Sequence, residues 1–327
     1  MNNARADIIA LLNGQKLSDP PAFSGLIHVT AEGLQSEGLV LHEAHQDADK
    51  MAKAAASTFH LAGIPSATLP LDLSVEAEAL GAMLDFSHDD TFPLPAVPLV
   101  ASVKDILIPS DALTRGRLPI IQQAIANLKQ DIGAEAVISG MIPGPYTLLL
   151  LLIEPGRLFM EMKKEPAAVN QMLQQLSHFL AQVGQAYKNA GADFITIHDM
   201  GGSPGFIGPA KYEQFVFPAE KQLIEELPKP RVLSVCGNVM KSQDLLNQTG
   251  SEAISLDQTI DLKAARAALN ETLLFGNIDP VETLWRGNQA EVREAANTTK
   301  EAGVDAVWPG CDLVPMTPVE NIKSLIH

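Results

Sequence analysis

Cysteine is scarce in this chain of 327 residues: only Cys236 and Cys311 are present. Two thiols cannot build a disulfide framework, and in a cytosolic protein they stay reduced. Positive charge is short as well, with 23 Lys and Arg against 39 Asp and Glu and a formal net charge of −16. Such a surface repels phosphates and argues against nonspecific nucleic-acid binding. Long apolar runs are missing; TLLLLLI at 147–153 is the longest, far below the roughly 20 residues a bilayer span needs. The first residues, MNNARADIIALLNGQK, show no basic region leading into an apolar stretch, so no secretory signal and a cytoplasmic location are expected. No GxGxxG follows a strand-like run and no GxxxxGK[ST] occurs, which removes the best support for a nucleotide-binding open sheet.

What is present is alternation. Hydrophobic residues make up 46% of the chain, enough for a sizeable core. Eight short β-prone runs recur: LIHVT (26–30), ATLPLDL (67–73), AVISGMI (136–142), DFITIHD (193–199), RVLSVC (231–236), AISLD (253–257), TLLFGN (272–277) and DAVWP (305–309). Between them lie helical patterns such as PAAVNQMLQQLSHFLAQVGQAYKNAG, with apolar residues every three or four positions and Gly191 as the stop. Strand–helix alternation implies a parallel sheet covered by helices. Eight strands fit a closed (β/α)8 TIM barrel, expected here as a single domain over 1–327 with an N-terminal helical extension and an excursion around 74–118.

In such barrels chemistry sits at the C-terminal ends of the strands. Cys236 ends one candidate strand and Cys311 follows the last. Asp72, Asp199 and Asp257 end three others, Asn277 and Asp279 follow a fourth, and the turn carrying Ser203 lies close enough to line a pocket. Two thiolates with a carboxylate suit zinc, although no CxxC or HExxH spacing marks such a site. The alternative is a Cys–His nucleophilic pair. Histidines stand at 28, 42, 45, 60, 88, 178, 198 and 327, and of these only His28 and His198 fall on candidate strands.

The segments EAHQDADKMAKAA (43–55), LSVEAEALG (73–81), GADFITIHDMGGSP (191–204), LSVCGN (233–238) and PGCDLVPMTPVEN (309–321) resemble the methylcobamide:coenzyme M methyltransferases, a branch of the uroporphyrinogen decarboxylase superfamily. That resemblance implies the same barrel and a zinc ion that activates a thiol, which then takes a methyl group from a methylated corrinoid protein. It implies a histidine, one residue, then cysteine-glycine as one half of the zinc motif, and a later cysteine in PGC as the other. Mapped onto this chain, the metal ligands are Cys236, Cys311 and the acidic Asp257. Ser234 stands where the family has histidine, and His198 is the candidate to complete the site. Cys236, Cys311 and Asp199 are expected to be catalytic, and Asp72, His198, Asn277 and Ser203 to bind substrate. Because serine is a poor zinc ligand, tetrahydrofolate stays open as acceptor beside a coenzyme M-like thiol. The methylcobamide should come on a separate protein, since no DxHxxG cobalamin motif is present.

Two other readings share the barrel: porphyrinogen decarboxylation and a noncatalytic corrinoid-protein-binding barrel. Asp72 occupies the place of the decarboxylases' pyrrole-binding aspartate. The loop PPAFSGLIHV, however, has none of their arginines, Leu151 replaces a tyrosine, and Cys311 replaces a histidine. Met160, Met162 and Met172 read as helix packing, Leu148 to Leu152 as a buried helix, and Arg115 and Arg117 as solvated surface.

Overall fold

The computed structural model describes residues 4–86 and 93–326; His88, His327 and residues 87–92 of the expected excursion lie outside them. Six parallel strands form the central sheet in chain order: β1 (Ser66–Leu69), β2 (Val137–Pro143), β3 (Phe194–Asp199), β4 (Arg231–Val235), β5 (Ala253–Leu256) and β6 (Leu273–Phe275). Nearly every strand residue is buried, as expected where helices cover one face and a filled barrel the other. Helices such as Ala48–Ala62, Leu118–Asp131 and Pro166–Ala190 form the outer layer, the last one ending at Gly191 with φ +124°. Among the described residues no helix is long and apolar enough to cross a membrane.

The ring closes through two extended segments that are not regular strands. Residues 305–309 bridge to β6 at Phe275↔Ala306 and to the segment after it at Ile278↔Pro309, and Val307 bridges onward to Ala22. Ser24 N then donates to Ser66 Oγ at 2.9 Å, which meets β1 again. The expected first strand, 26–30, therefore forms no ladder; the bridging residues lie at 21–23, earlier in the chain. Pro20 and Pro21 lack the N–H a ladder requires, and the backbone at Gly25 presses so tightly on the interior that a Cβ would sit 2.4 Å from Thr196 Oγ1. His28 takes over part of the connection, its Nε2 lying 3.0 Å from Ser66 O.

The two ends of the barrel differ. Phe23, Phe194, Phe275 and Trp308 fill the N-terminal end, with ring centroids 5.1–6.4 Å apart. Ile8, Leu11 and Leu12 of the helix Ala4–Leu12 cover that plug. Arg5 anchors the same helix through both carboxylate oxygens of Asp193. His198 and Ser234 lie toward the opposite, C-terminal end of their strands.

Candidate active site

Alternation along the strands selects which side chains reach the interior. On β3, Phe194 joins the aromatic plug, Thr196 bonds Ser139 at 2.8 Å, and His198 stands at the open end. On β4, Val232 packs on the plug and Ser234 follows; Cys236 lies one residue beyond the strand. Cys311 arrives from the closing segment, and its Sγ is 3.6 Å from Cys236 Sγ. One ring nitrogen of His198 and both sulfurs lie within 4.8 Å of one another.

Two glycines make this approach possible. Gly310 passes so close to Gln258 that a Cβ would lie 2.6 Å from its backbone nitrogen. Gly237 has φ +74°, in the left-handed region that suits glycine, and its N–H donates to Asp257 Oδ2 at 2.8 Å. Asp257 thus holds the Cys236 turn, and its Oδ1 accepts from both the N–H and hydroxyl of Thr259. The grouped metal-ligand atoms are those of His198, Cys236 and Cys311, without Asp257.

Register explains the histidine. His198 on β3 pairs with Ser234 on β4, so the imidazole stands at the height of the serine, one strand over. The ring is fully buried, and neither of its nitrogens makes a hydrogen bond of ordinary geometry. Asp312 Oδ2 lies 3.4 Å from Nε2, while Asp312 Oδ1 accepts from Ile27 N at 2.8 Å. Burial pulls the histidine down, but Asp312 and the Cys311 sulfur outweigh it and raise it to about 10. The hydrogen bond from Cys236, helped by His198 and opposed by burial, lowers Cys311 to about 6, and the same hydrogen bond pushes Cys236 up.

The remaining expected residues fall into different settings. Ser203 is buried, caps the short helix Pro204–Ile207 and lies against Gly237. Asn277 donates to Asp257 O and Ile260 O, both at 2.9 Å, and so shapes the loop after β5. Asp199 is fully buried on the helix-facing side of β3, accepting from Thr147 Oγ1 at 2.6 Å and Gly202 N at 3.0 Å. Asp72 is held by Arg117, which bonds both carboxylate oxygens, with His45 Nδ1 at 2.9 Å. Arg117 is thereby a correction: it is 3% exposed, not solvated, because Asp72 and Glu78 compensate its buried charge. Arg115, by contrast, is exposed and pairs with Asp111. Met160 also departs from expectation, being exposed, whereas Met162 and Met172 pack in the core.

Sequence reasoning missed Asp312 and Glu220. Asp312 had a signal, since it follows Cys311 directly in PGCD. Glu220 had none; in PAEKQLIEE it reads as a helix-surface charge, yet it is fully buried and accepts from Tyr212 Oη at 2.6 Å.

A (β/α)8 barrel with two sulfurs and an imidazole gathered at the C-terminal rim places the chain among the barrel enzymes, whose chemistry sits at that rim. The chain belongs to the uroporphyrinogen decarboxylase (URO-D) family, whose model matches residues 3–327, and within it to the branch of the methylcobamide:CoM methyltransferases. It is 31% identical over 323 residues to Methylcobamide:CoM methyltransferase MtbA of Methanosarcina acetivorans, covering 97% of this chain and 94% of that one. Methylated-thiol–coenzyme M methyltransferase of Methanosarcina mazei is 26% identical over 328 residues, covering 100% of this chain and 89% of the relative. A solved structure of a methyltransferase from Methanosarcina mazei superposes with a TM-score of 0.95 at 27% identity, over 99% of this chain and 97% of that one.

Proposed function

We propose that the protein is an enzyme that transfers a methyl group from a methylated corrinoid, carried on a separate protein, to a small thiol at the His198–Cys236–Cys311 cluster. The observation that carries this reading is the 3.6 Å Sγ–Sγ separation beside a buried imidazole whose nitrogens make no hydrogen bond of ordinary geometry. The donor set fits zinc: two soft sulfurs and one imidazole leave a fourth tetrahedral position for a ligand, the pattern of catalytic sites. Bound there, zinc would act as a Lewis acid that lowers the pKa of an incoming thiol.

The chain's own residues do the rest. Asp312 sits against His198 Nε2 at 3.4 Å, a positioning role. Asp257 and Gly237 hold the Cys236 turn, and the aromatic plug closes the barrel below, so access is from the strand C-termini where a corrinoid protein would dock. Relatives matched over most of their length, one named for methylcobamide and coenzyme M and one for a methylated thiol and coenzyme M, support the reaction class. Porphyrinogen decarboxylation is disfavoured, since Asp72 is already committed to Arg117 and His45.

Metal analysis and turnover test this together. The purified protein should bind one zinc per chain, and cobalt substitution should give thiolate-to-metal absorption that Cys236→Ser or Cys311→Ser abolishes. Thiol-dependent demethylation of methylcobalamin should stop on chelation and return with zinc, and uroporphyrinogen should yield no coproporphyrinogen. Chelator-insensitive transfer to tetrahydrofolate, with none to thiols, would overturn the reading.

A further inference from the structure

Beside the cluster, a cavity of about 500 Å³ opens between the helix Pro145–Leu152 and the loop that follows β3, a size suited to a small molecule. Its wall adjoins the thiol site, although no residue of the cluster is among the described residues that line it. Met200 and Gly201 in its wall directly follow His198 and Asp199. The ring of Phe206, also in the wall, comes to 3.6 Å from where a Cβ on Gly237 would stand, next to Cys236.

Among the described residues, none that lines it is charged. The polar atoms of the lining side chains are already committed: Tyr146 Oη donates to Met162 Sδ at 3.4 Å, while Thr147 Oγ1 donates to Asp199 and accepts from Gly201 N at 2.9 Å. A sulfonate or carboxylate placed here would lose its water and gain no donor, which is costly. The carboxyl behind the wall, Asp199, would add repulsion. Arg117 cannot help, being closed off by Asp72 and Glu78. Lys211 approaches the Phe159 ring, 5.6 Å from its centroid, but is itself exposed to water.

Building on the proposed methyl transfer, we infer that this cavity holds the body of the methyl acceptor and that this body is uncharged and apolar: an alkyl or aryl thiol, in contrast to a short thiol ending in a sulfonate. In the reaction the thiol proton passes to solvent and sulfur forms the new S–CH3 bond. The Co–C bond breaks with its electron pair left on cobalt, and the product is an alkyl or aryl methyl thioether. Leu150 and Leu151, the partly exposed leucines of the Leu148–Leu152 run, act as specificity residues.

The test compares benzyl mercaptan, 1-hexanethiol, 2-mercaptoethanol and coenzyme M as acceptors from methylcobalamin, alongside calorimetric binding of each to the zinc-loaded protein. Each buried methylene should tighten binding about fourfold, so the apolar thiols should bind at least about tenfold more tightly than coenzyme M. Leu151→Phe, which fills the cavity, should shrink the preference for benzyl mercaptan over 2-mercaptoethanol. Leu150→Arg should shift the preference toward coenzyme M. Tighter binding of coenzyme M than of the apolar thiols by the unmodified protein would overturn the inference, as would a cavity that only a docked partner protein fills and no thiol enters. If no thiol is methylated the proposed transfer fails on its own account, and calorimetry alone still decides what the cavity binds.

Discussion

Glu76 and Asp72 lie four residues apart in one buried network, and burial disfavours ionisation of both, yet their net shifts are opposite. Burial, seconded by the charge of Asp72, pushes Glu76 up to about 8, with the Tyr187 hydroxyl 3.2 Å from its Oε1. Burial also opposes ionisation of Asp72, but the Arg117 guanidinium and His45 win and hold its carboxyl well below the usual carboxylate range. For Glu76 the native state keeps a proton that the unfolded chain releases above its ordinary 4.5. Between that value and about 8, therefore, stability falls as pH rises. The loss should be at most about 1.4 kcal/mol per pH unit. Urea unfolding at several pH values should show this slope, and Glu76→Gln should flatten it. A wild-type curve as flat as that of Glu76→Gln would show that Glu76 is ionised in the native state. Asp72 has the opposite sign, contributing stability that is lost only in strong acid.

Between strands, the informative relation is the parallel register of β3 and β4, which sets His198 opposite Ser234. Both side chains are buried inside the barrel, so adding a second imidazole by Ser234→His alone would crowd the interior. Moving the imidazole one strand over is the better test. His198→Ser should weaken zinc affinity by more than about a hundredfold, since loss of even an outer-shell partner can cost that much. The double change His198→Ser with Ser234→His should recover much of it, read by competition with a chromogenic chelator. Failure of the exchange to restore any binding would show that the cluster depends on Asp312, which faces His198 and not Ser234.

For the molecule as a whole, the barrel separates stability from chemistry along its axis. Trp308 lies fully buried in the N-terminal plug, 5.2 Å in centroid distance from Phe23. Trp308→Ala should lower stability by about 3–5 kcal/mol, measured by denaturant unfolding, while the folded fraction keeps its zinc stoichiometry. Much of this architecture is legible in the sequence. Six expected strands occur where the β-prone runs lie, and Cys236 and Cys311 come within 3.6 Å at the rim their strand-end positions indicate. Periodicity and punctuation by glycine and proline are local, so one chain read residue by residue displays them. The ring closure at 21–23, the burial of Arg117 and the place of Glu220 were not legible, because each depends on which distant residue lies opposite. His198 shows the division most clearly. Its presence on a strand could be read from DFITIHD, but its alignment with Ser234 and its approach to both sulfurs follow from inter-strand register. Register is fixed by packing between segments far apart in the chain, and only the tertiary structure decides it.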